Sequence, residues 1–329
     1  MSTKHWNGIG RAFLVAAALG WAVQAQAADA PIKIRIAYPS GMNGQIPVVM
    51  ERAGIAKKYG LDAKYDFFQY GPPAMEAFIS GRVDAVITSL MPVTTLLSKQ
   101  PGSAVVVASL GQSSYALMVP KDSTVSDVRQ LKGKKIAVSF GSDSHSDLLT
   151  LLKSAGMNPA TDVQLLNTQP AELPLALTQK FADAVVVRQP QVMRLKEDFS
   201  AKVVHTWPFR FVSIMRADFL KANPGVKEKY LAALRESILY IAKNKETASE
   251  WFGEKLRLDP KIIRQVSNDD PYYNVTKLDD ITIGVTPAFL ALLNNWFKNS
   301  YENGMIKTPL AIDENGMIKT PLAIDAAAK

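Results

Sequence analysis

Cysteine is absent from the 329 residues and histidine occurs only three times. The first absence removes disulfides, thiolate nucleophiles, thiolate metal sites and lipid attachment at a leader cysteine. The second leaves His145 and His205 far apart, without a His-x-x-x-His spacing, so no zinc centre and no other metal or cofactor is expected. A Gly-x-Ser-x-Gly elbow and a Gly-x-x-x-x-Gly-Lys phosphate loop are missing too. Asp269-Asp270 and Asp279-Asp280 stand in Pro-, Tyr- and Asn-rich sequence and read as solvated turns, not as an acid–base pair. With no catalytic constellation present, binding rather than catalysis is the expected role, and an exported enzyme is disfavoured.

Long apolar runs are scarce as well. Residues 12–19 are apolar, but the run is too short to cross a bilayer. Lys4 and Arg11 precede it and Ala25-Gln26-Ala27 follows it, which is the pattern of a secretory leader. Residues 1–27 are therefore expected to be cleaved after Ala27, leaving an exported, periplasmic protein. The formal net charge is +8, and cleavage removes Lys4 and Arg11 from it. The cations are scattered among acids, so they make no nucleic-acid stripe; at most they draw in small anions. The remainder is long enough for two domains with their own cores.

Against these absences stands a motif that occurs twice, 99 positions apart. The first copy runs from Gly71-Pro72-Pro73 through Gly81 to Asp84-Ala85-Val86-Ile87-Thr88-Ser89. The second runs from Gln169-Pro170 through Lys180 to Asp183-Ala184-Val185-Val186-Val187-Arg188. Each reads as a helix started by proline, a turn and a buried strand, and each strand ends in a polar residue, Ser89 or Arg188. Around them the pattern alternates between period 2 and period 3.6. Strands are predicted at 33–38, 64–68, 104–110, 114–120, 135–140, 162–166, 202–205 and 211–215, with helices between. From residue 217 onward the pattern is helical, most clearly at 226–243 and 287–301. Two strand–helix cycles followed by a helical third predict an α/β protein with two lobes. Each lobe would hold a mainly parallel sheet flanked by helices. Lobe I is expected at 28–117 plus 216–313 and lobe II at 118–215, with hinge crossovers near 112–119 and 207–215. Residues 302–313 (ENGMIKTPLAID) recur identically at 314–325, too short a unit for a solenoid; the tail 314–329 is expected to be peripheral or disordered.

Several segments, in order, resemble a known family. Phe68-x-x-Gly-Pro-Pro-x-x-Glu-Ala-Phe-x-Ser-Gly-x-Val-Asp-Ala, Leu131-Lys-Gly-Lys-Lys-Ile-Ala-Val and Phe140-Gly-Ser are similar to the nitrate/sulfonate/taurine class of periplasmic substrate-binding proteins. The resemblance covers about residues 32–220. It implies a periplasmic binding protein fold that closes by a hinge on a small solute and passes it to the permease and ATPase of an ABC importer. One departure bears on the ligand. Members of this class often carry an aromatic residue, an acid and a proline after the second Asp-Ala strand. Here Arg188-Gln189-Pro190 stands there, which weighs against taurine itself and favours a sulfonate, carboxylate or similar anionic head.

In open α/β sheets ligands sit beyond the carboxyl ends of the strands. After the first strand these positions hold Tyr38, Ser40, Met42, Asn43 and Gln45, and after the second Tyr70. Ser89, Leu90 and Met91 follow the third, where a hydroxyl and helix-start amides can meet an oxyanion. Gly141, Ser142, Ser144 and His145 lead into an amphipathic helix, with Asp143 expected as a cap or as the partner of an amine. Arg188 offers a planar fork to a carboxylate or sulfonate through two parallel hydrogen bonds. Gln189 follows it, and Arg210 near the return crossover is a second cation. Of Tyr38, Phe68, Tyr70, Trp207, Phe209 and Phe211, two or three at most are expected to line the cleft, for a solute with an aromatic or extended apolar body. The expected molecule is a monomer that captures a small anionic solute. Two other uses of the same cleft stay open: a sensory binding protein without transport, and a binder of a neutral, pyrimidine-like solute.

Overall fold

Strand β1 (Ile32–Pro39) buries Ile34 and Ile36 on one side and Ala37 on the other, so it lies inside the molecule with both faces covered. It is followed by α1 (Gln45–Arg52), α2 (Ile55–Lys58), β2 (Leu61–Phe68), α3 (Gly71–Ile79), β3 (Ala85–Ser89), α4 (Leu90–Lys99) and β4 (Ala104–Val119). The cycle then repeats with β5 (Lys135–Val138), α5 (Asp143–Ser154), β6 (Gln164–Asn167), α6 (Leu173–Thr178), β7 (Ala184–Arg188), α7 (Gln191–Phe199) and β8 (Lys202–Arg216). The chain is seen as a computed structural model describing residues 30–302 and 304–319. The expected leader, and the end of the repeated tail, lie outside the described residues.

The strands form one mixed sheet of eight in the order β2-β1-β3-β8-β4-β7-β5-β6. This corrects the expectation of two separate sheets. Pairing is parallel within β2-β1-β3 and within β7-β5-β6, as expected, but β8 and β4 are long and antiparallel and join the two groups. Each merges two of the strands predicted separately. The predicted breaks survive as irregularity rather than as ends. The β4–β8 register shifts between Ser109 and Gln112, where Gly111 takes a left-handed φ of 95°. A bulge of this kind bends a strand while its pairing continues on both sides. One face of the sheet carries a core that extends across both halves. The other face is split between a cluster under α3 and α4 and a smaller one under α6 and α7.

The sequence motif reappears as hydrogen bonds at the same spacing. Asp84 and Asp183, each just before a strand, accept from the backbone N–H of Arg35 and Lys135 (2.9 Å each) and donate their own N–H to the same residues' carbonyls. Ser40 and Ser139 donate to the carbonyls of Gln69 and Thr168 at 2.7 and 2.8 Å. Gly81 and Lys180 both turn through left-handed backbone. Prolines sit in the first turn of α3 and α6, where a missing N–H costs no helical bond. The motif therefore encodes a helix–turn–strand unit whose aspartate pins the strand's start to its parallel neighbour.

The helical third supplies α8 (Ala217–Ala222), α9 (Val226–Lys243), α10 (Lys245–Leu256), α11 (Pro260–Asp269) and α12 (Pro287–Glu302). Helices α9 and α10 pack on α1, while α12 lays Phe289, Leu293 and Phe297 into the core beside α4. The indole of Trp296 donates to Thr94 at 3.0 Å and fixes that contact. Beyond it, β9 (Ala311–Ile312) and β10 (Ile318–Lys319) pair as a small antiparallel hairpin. The turn between them brings the Gly316 carbonyl to the backbone N–H of Val106 at 2.9 Å.

The two aspartates do matching work in different surroundings: Asp84 is buried and Asp183 exposed. An unsatisfied buried donor costs about 1–3 kcal/mol, a solvated one much less. Asp84→Ala should lower unfolding free energy in urea by about 2 kcal/mol and Asp183→Ala by about half that or less. Equal losses would show that burial does not set the difference.

Candidate functional site

Strands β3 and β7 point toward each other along the joining pair. Ser89 at the end of β3 lies beside Phe211 of β8, and Arg188 at the end of β7 lies beside Tyr115 of β4, which pairs with Trp207 of β8. From Trp207 to Phe211 is four residues, roughly 13 Å of strand. Over this gap a cleft of about 420 Å³ opens, lined from the first half by Ser40, Phe67, Gln69 and Tyr70. The second half contributes Ser139, Ser142, Ser144, the start of α6 and residues 186–191. Carboxyl ends of four strands thus meet at one opening, as the location rule for open α/β sheets requires.

Arg188 reaches from β7 across to the first half. Its guanidinium donates to the Gln69 carbonyl at 3.1 Å and lies over the Phe209 ring at 5.6 Å. Burial pushes its pKa down to about 10, and the charge of Asp143 acts the other way. At neutral pH the group is still a fixed cation. Among the described residues it has no acidic partner within ion-pair distance, and the Gln69 bond uses one of its five N–H donors.

The site residues read from the sequence fall into three places. Ser40, Tyr70, Ser142, Ser144, Arg188 and Gln189 line the cleft. Tyr38, Met42, Asn43 and Gln45 are buried behind it: Tyr38 packs edge-on to Phe67, Asn43 donates to the Thr88 carbonyl at 3.4 Å, and Gln45 accepts from Ser267 at 3.0 Å. Leu90 and Met91 are buried where α4 begins. Ser89 donates its hydroxyl to the Asp143 carboxylate, which also accepts the Met91 N–H at 3.2 Å. The anion met at the start of α4 is therefore the protein's own. Ser142 caps α5, accepting from the His145 N–H at 3.4 Å. Gly141 faces Pro72, and His145 stacks on Phe140 at 4.3 Å. Arg210 sits on β8 opposite Gln112, away from the cleft wall.

The sequence reading missed a group of wall residues from α10. Lys255, Leu256 and Arg257 stand at the rim, with the Lys255 ammonium over the Phe67 ring at 5.2 Å. Arg257 closes α10 in left-handed backbone (φ 54°). Nothing in the local pattern joins 255–257 to strand ends far earlier in the chain. The wall thus carries three cations and, among the described residues, no carboxylate. Such a wall gives the cleft a positive potential.

The family model for the NMT1-like family matches residues 27–252. The chain belongs to the NMT1-like family. The taurine-binding periplasmic protein of Escherichia coli (strain K12) is 31% identical over 239 residues, which is 70% of this chain and 72% of that protein. Among solved structures, the periplasmic aliphatic sulphonate-binding protein of Escherichia coli aligns with a TM-score of 0.68 at 21% identity, covering 88% of this chain and 93% of its own. The alkanesulfonate-binding protein of Xanthomonas axonopodis pv. citri, solved with MOPS bound, aligns at 0.70 and 18% identity, covering 85% and 96%. At those identities the structures establish the periplasmic binding protein fold. Among the described residues no helix is long and apolar enough to cross a membrane.

Within this NMT1-like fold, Asp143 is the most perturbed acid beside the cleft. Burial pushes its carboxyl up to about 6, against the bonds from Ser89 and Met91, and Asp147 one turn along α5 adds to the rise. Asp147 is raised by its own burial, while the hydrogen bond from Tyr115 and the charge of His205 hold it back. For an acid raised on folding, the sign is fixed. Its contribution is fully present below about pH 4, where both states are protonated, and is lost as the pH rises through about 6. Asp143→Asn removes that loss. Relative to the unsubstituted protein, its unfolding free energy should therefore improve by roughly 2–3 kcal/mol between pH 4 and pH 7. Denaturation at the two pH values checks this, and a constant difference would show that the carboxyl titrates as in water.

Proposed function

We propose that this chain is the solute-binding component of an ABC importer, exported to the periplasm, and that its solute is a small organic anion. The observation that carries the reading is Arg188. A half-buried guanidinium with most of its donors unused faces a cleft whose wall, among the described residues, holds two further cations and no carboxylate. A planar fork of this kind suits a carboxylate or sulfonate. Relatives whose names speak of taurine and aliphatic sulfonates support the same class of ligand. The apolar wall around Phe67, Tyr70 and Leu173 suits a ligand with an apolar body.

In this reading residues 28–117 with 216–313 move as one lobe and 118–215 as the other. The two halves would rock about the irregular stretch of β4 and β8. A ligand touching Ser40 and Tyr70 on one side and Arg188 and Ser142 on the other favours closure, because only the closed state satisfies both sets of contacts. The solute is then passed to a permease driven by an ATPase.

Thermal shift against sulfonates, nitrate, aliphatic and aromatic carboxylates, and pyrimidines tests the ligand class. A ligand at a hundred times its dissociation constant adds about 2.7 kcal/mol of stability. With the best anion, Arg188→Ala should weaken binding at least about tenfold by titration calorimetry while the circular dichroism of the ligand-free protein stays unchanged. A shift by neutral pyrimidines and by no anion would sink the reading.

A further inference from the structure

We propose that the cleft takes a dianion: a solute with two anionic heads, one held by Arg188 at the floor and one by Lys255 and Arg257 at the rim, joined by a short apolar spacer. This rests on the anion reading above and narrows it to dicarboxylates and sulfocarboxylates.

The first argument is charge. Lys255 and Arg257, like Arg188, have no acidic partner among the described residues. Of the acids nearest in sequence, Glu254 pairs with Arg52 at 3.1 Å and Asp259 caps α11 by accepting the Lys261 N–H at 2.8 Å. Asp143 acts on Arg188 from behind the wall. Set against the three cations, it leaves two positive charges uncompensated around one cavity. Like charges gathered at one opening repel one another, and a bound dianion neutralises both uncompensated charges where a monoanion neutralises one.

The second argument is spacing. Lys255 rests on the ring of Phe67, and Arg188 is tied to the carbonyl of Gln69. These anchor points are two residues, roughly 7 Å, apart at the end of β2. The rim cations come from the end of α10 and the floor cation from β7, so positive charge enters the cavity from two separate elements. The wall between them is apolar, with Phe67, Tyr70 and Leu256, which fits an aromatic ring or a short alkyl chain.

The third argument is backbone conformation. The residue just past a helix end that turns left-handed is usually glycine or asparagine. Here it is Arg257, exposed, in a turn closed by its own N–H on the Glu254 carbonyl at 3.3 Å and by the Leu258 N–H on the Gly253 carbonyl at 2.9 Å. Its long cationic side chain at the cleft rim is the feature that glycine would not supply.

Calorimetry with matched probes tests the proposal: benzoate against terephthalate, and propanesulfonate against 3-sulfopropionate. Each dianion should bind at least about tenfold more tightly than its monoanion. In the Lys255→Ala, Arg257→Ala double variant the ratio should fall to within about twofold of one. Both positions are exposed, so the fold should tolerate the change. Monoanions binding as tightly as their dianions would overturn the second subsite and leave the anion reading standing. A preference that survives in the double variant would overturn the assignment to Lys255 and Arg257. If no probe of either kind binds and Arg188→Ala changes nothing, the anion reading falls and takes the dianion with it.

Discussion

The antiparallel pairing of β4 with β8 is the constraint on which the site depends. These two strands belong to both halves of the sheet, and everything parallel is added outward from them. Because β3 pairs antiparallel with β8 and β7 with β4, the two outer groups are forced to run in opposite senses along a common axis. Their carboxyl ends then converge on the middle of the pair. A cleft there needs no special loop; it follows from strand direction, and from the irregular register around Gly111 that keeps the middle from being one flat ribbon.

That arrangement explains why the duplicated unit is conservative in scaffold and free in chemistry. The bonds of Asp84 and Asp183, and of Ser40 and Ser139, are made at strand starts and loop roots, where they hold parallel neighbours in register. Ser89 and Arg188 stand at the far ends, where the register is already set. The first copy spends its polar end internally, on Asp143. The second directs a cation into the opening and across to Gln69. The electrostatics divide the same way. Asp143, buried against Ser89 and Met91, ties the starts of α4 and α5 together, while Arg188 keeps its charge and most of its donors for the cavity.

Much of this was legible in the residues. Proline-started helices, Asp-Ala strands and a polar residue at each strand end are local signals, and they located both halves, the first-half loops and Arg188. Continuity of the sheet was not local. The predicted strands leave breaks at 111–113 and 206–210, yet a bulge and ongoing pairing carry β4 and β8 past them. Asn43 and Gln45 show the same limit at single residues. The location rule puts a loop beyond a strand's carboxyl end at the ligand opening, but the short turn after β1 folds them under it, where they are fully buried. The rim cations were invisible for a related reason: Lys255 and Arg257 reach the cleft only because α10 packs on α1.

The repeated tail makes the same point with sequence held constant. Gly304 and Gly316, twelve residues apart in identical segments, are both left-handed. Their neighbours differ. Ile306 is buried in the core under α12, outside any strand, whereas its counterpart Ile318 pairs with Ile312 as the edge of the terminal hairpin. At Gly304 a side chain would meet open space; at Gly316 it would run into the carbonyl of Val106. One sequence therefore fills two roles, and only the second makes glycine obligatory for steric reasons as well as for φ. Local propensity supplies the turn in both copies, and tertiary contact decides what the turn is for. The cleft obeys the same division: the strand motif supplies the opening, and a helix from the distant end of the chain supplies part of its charge.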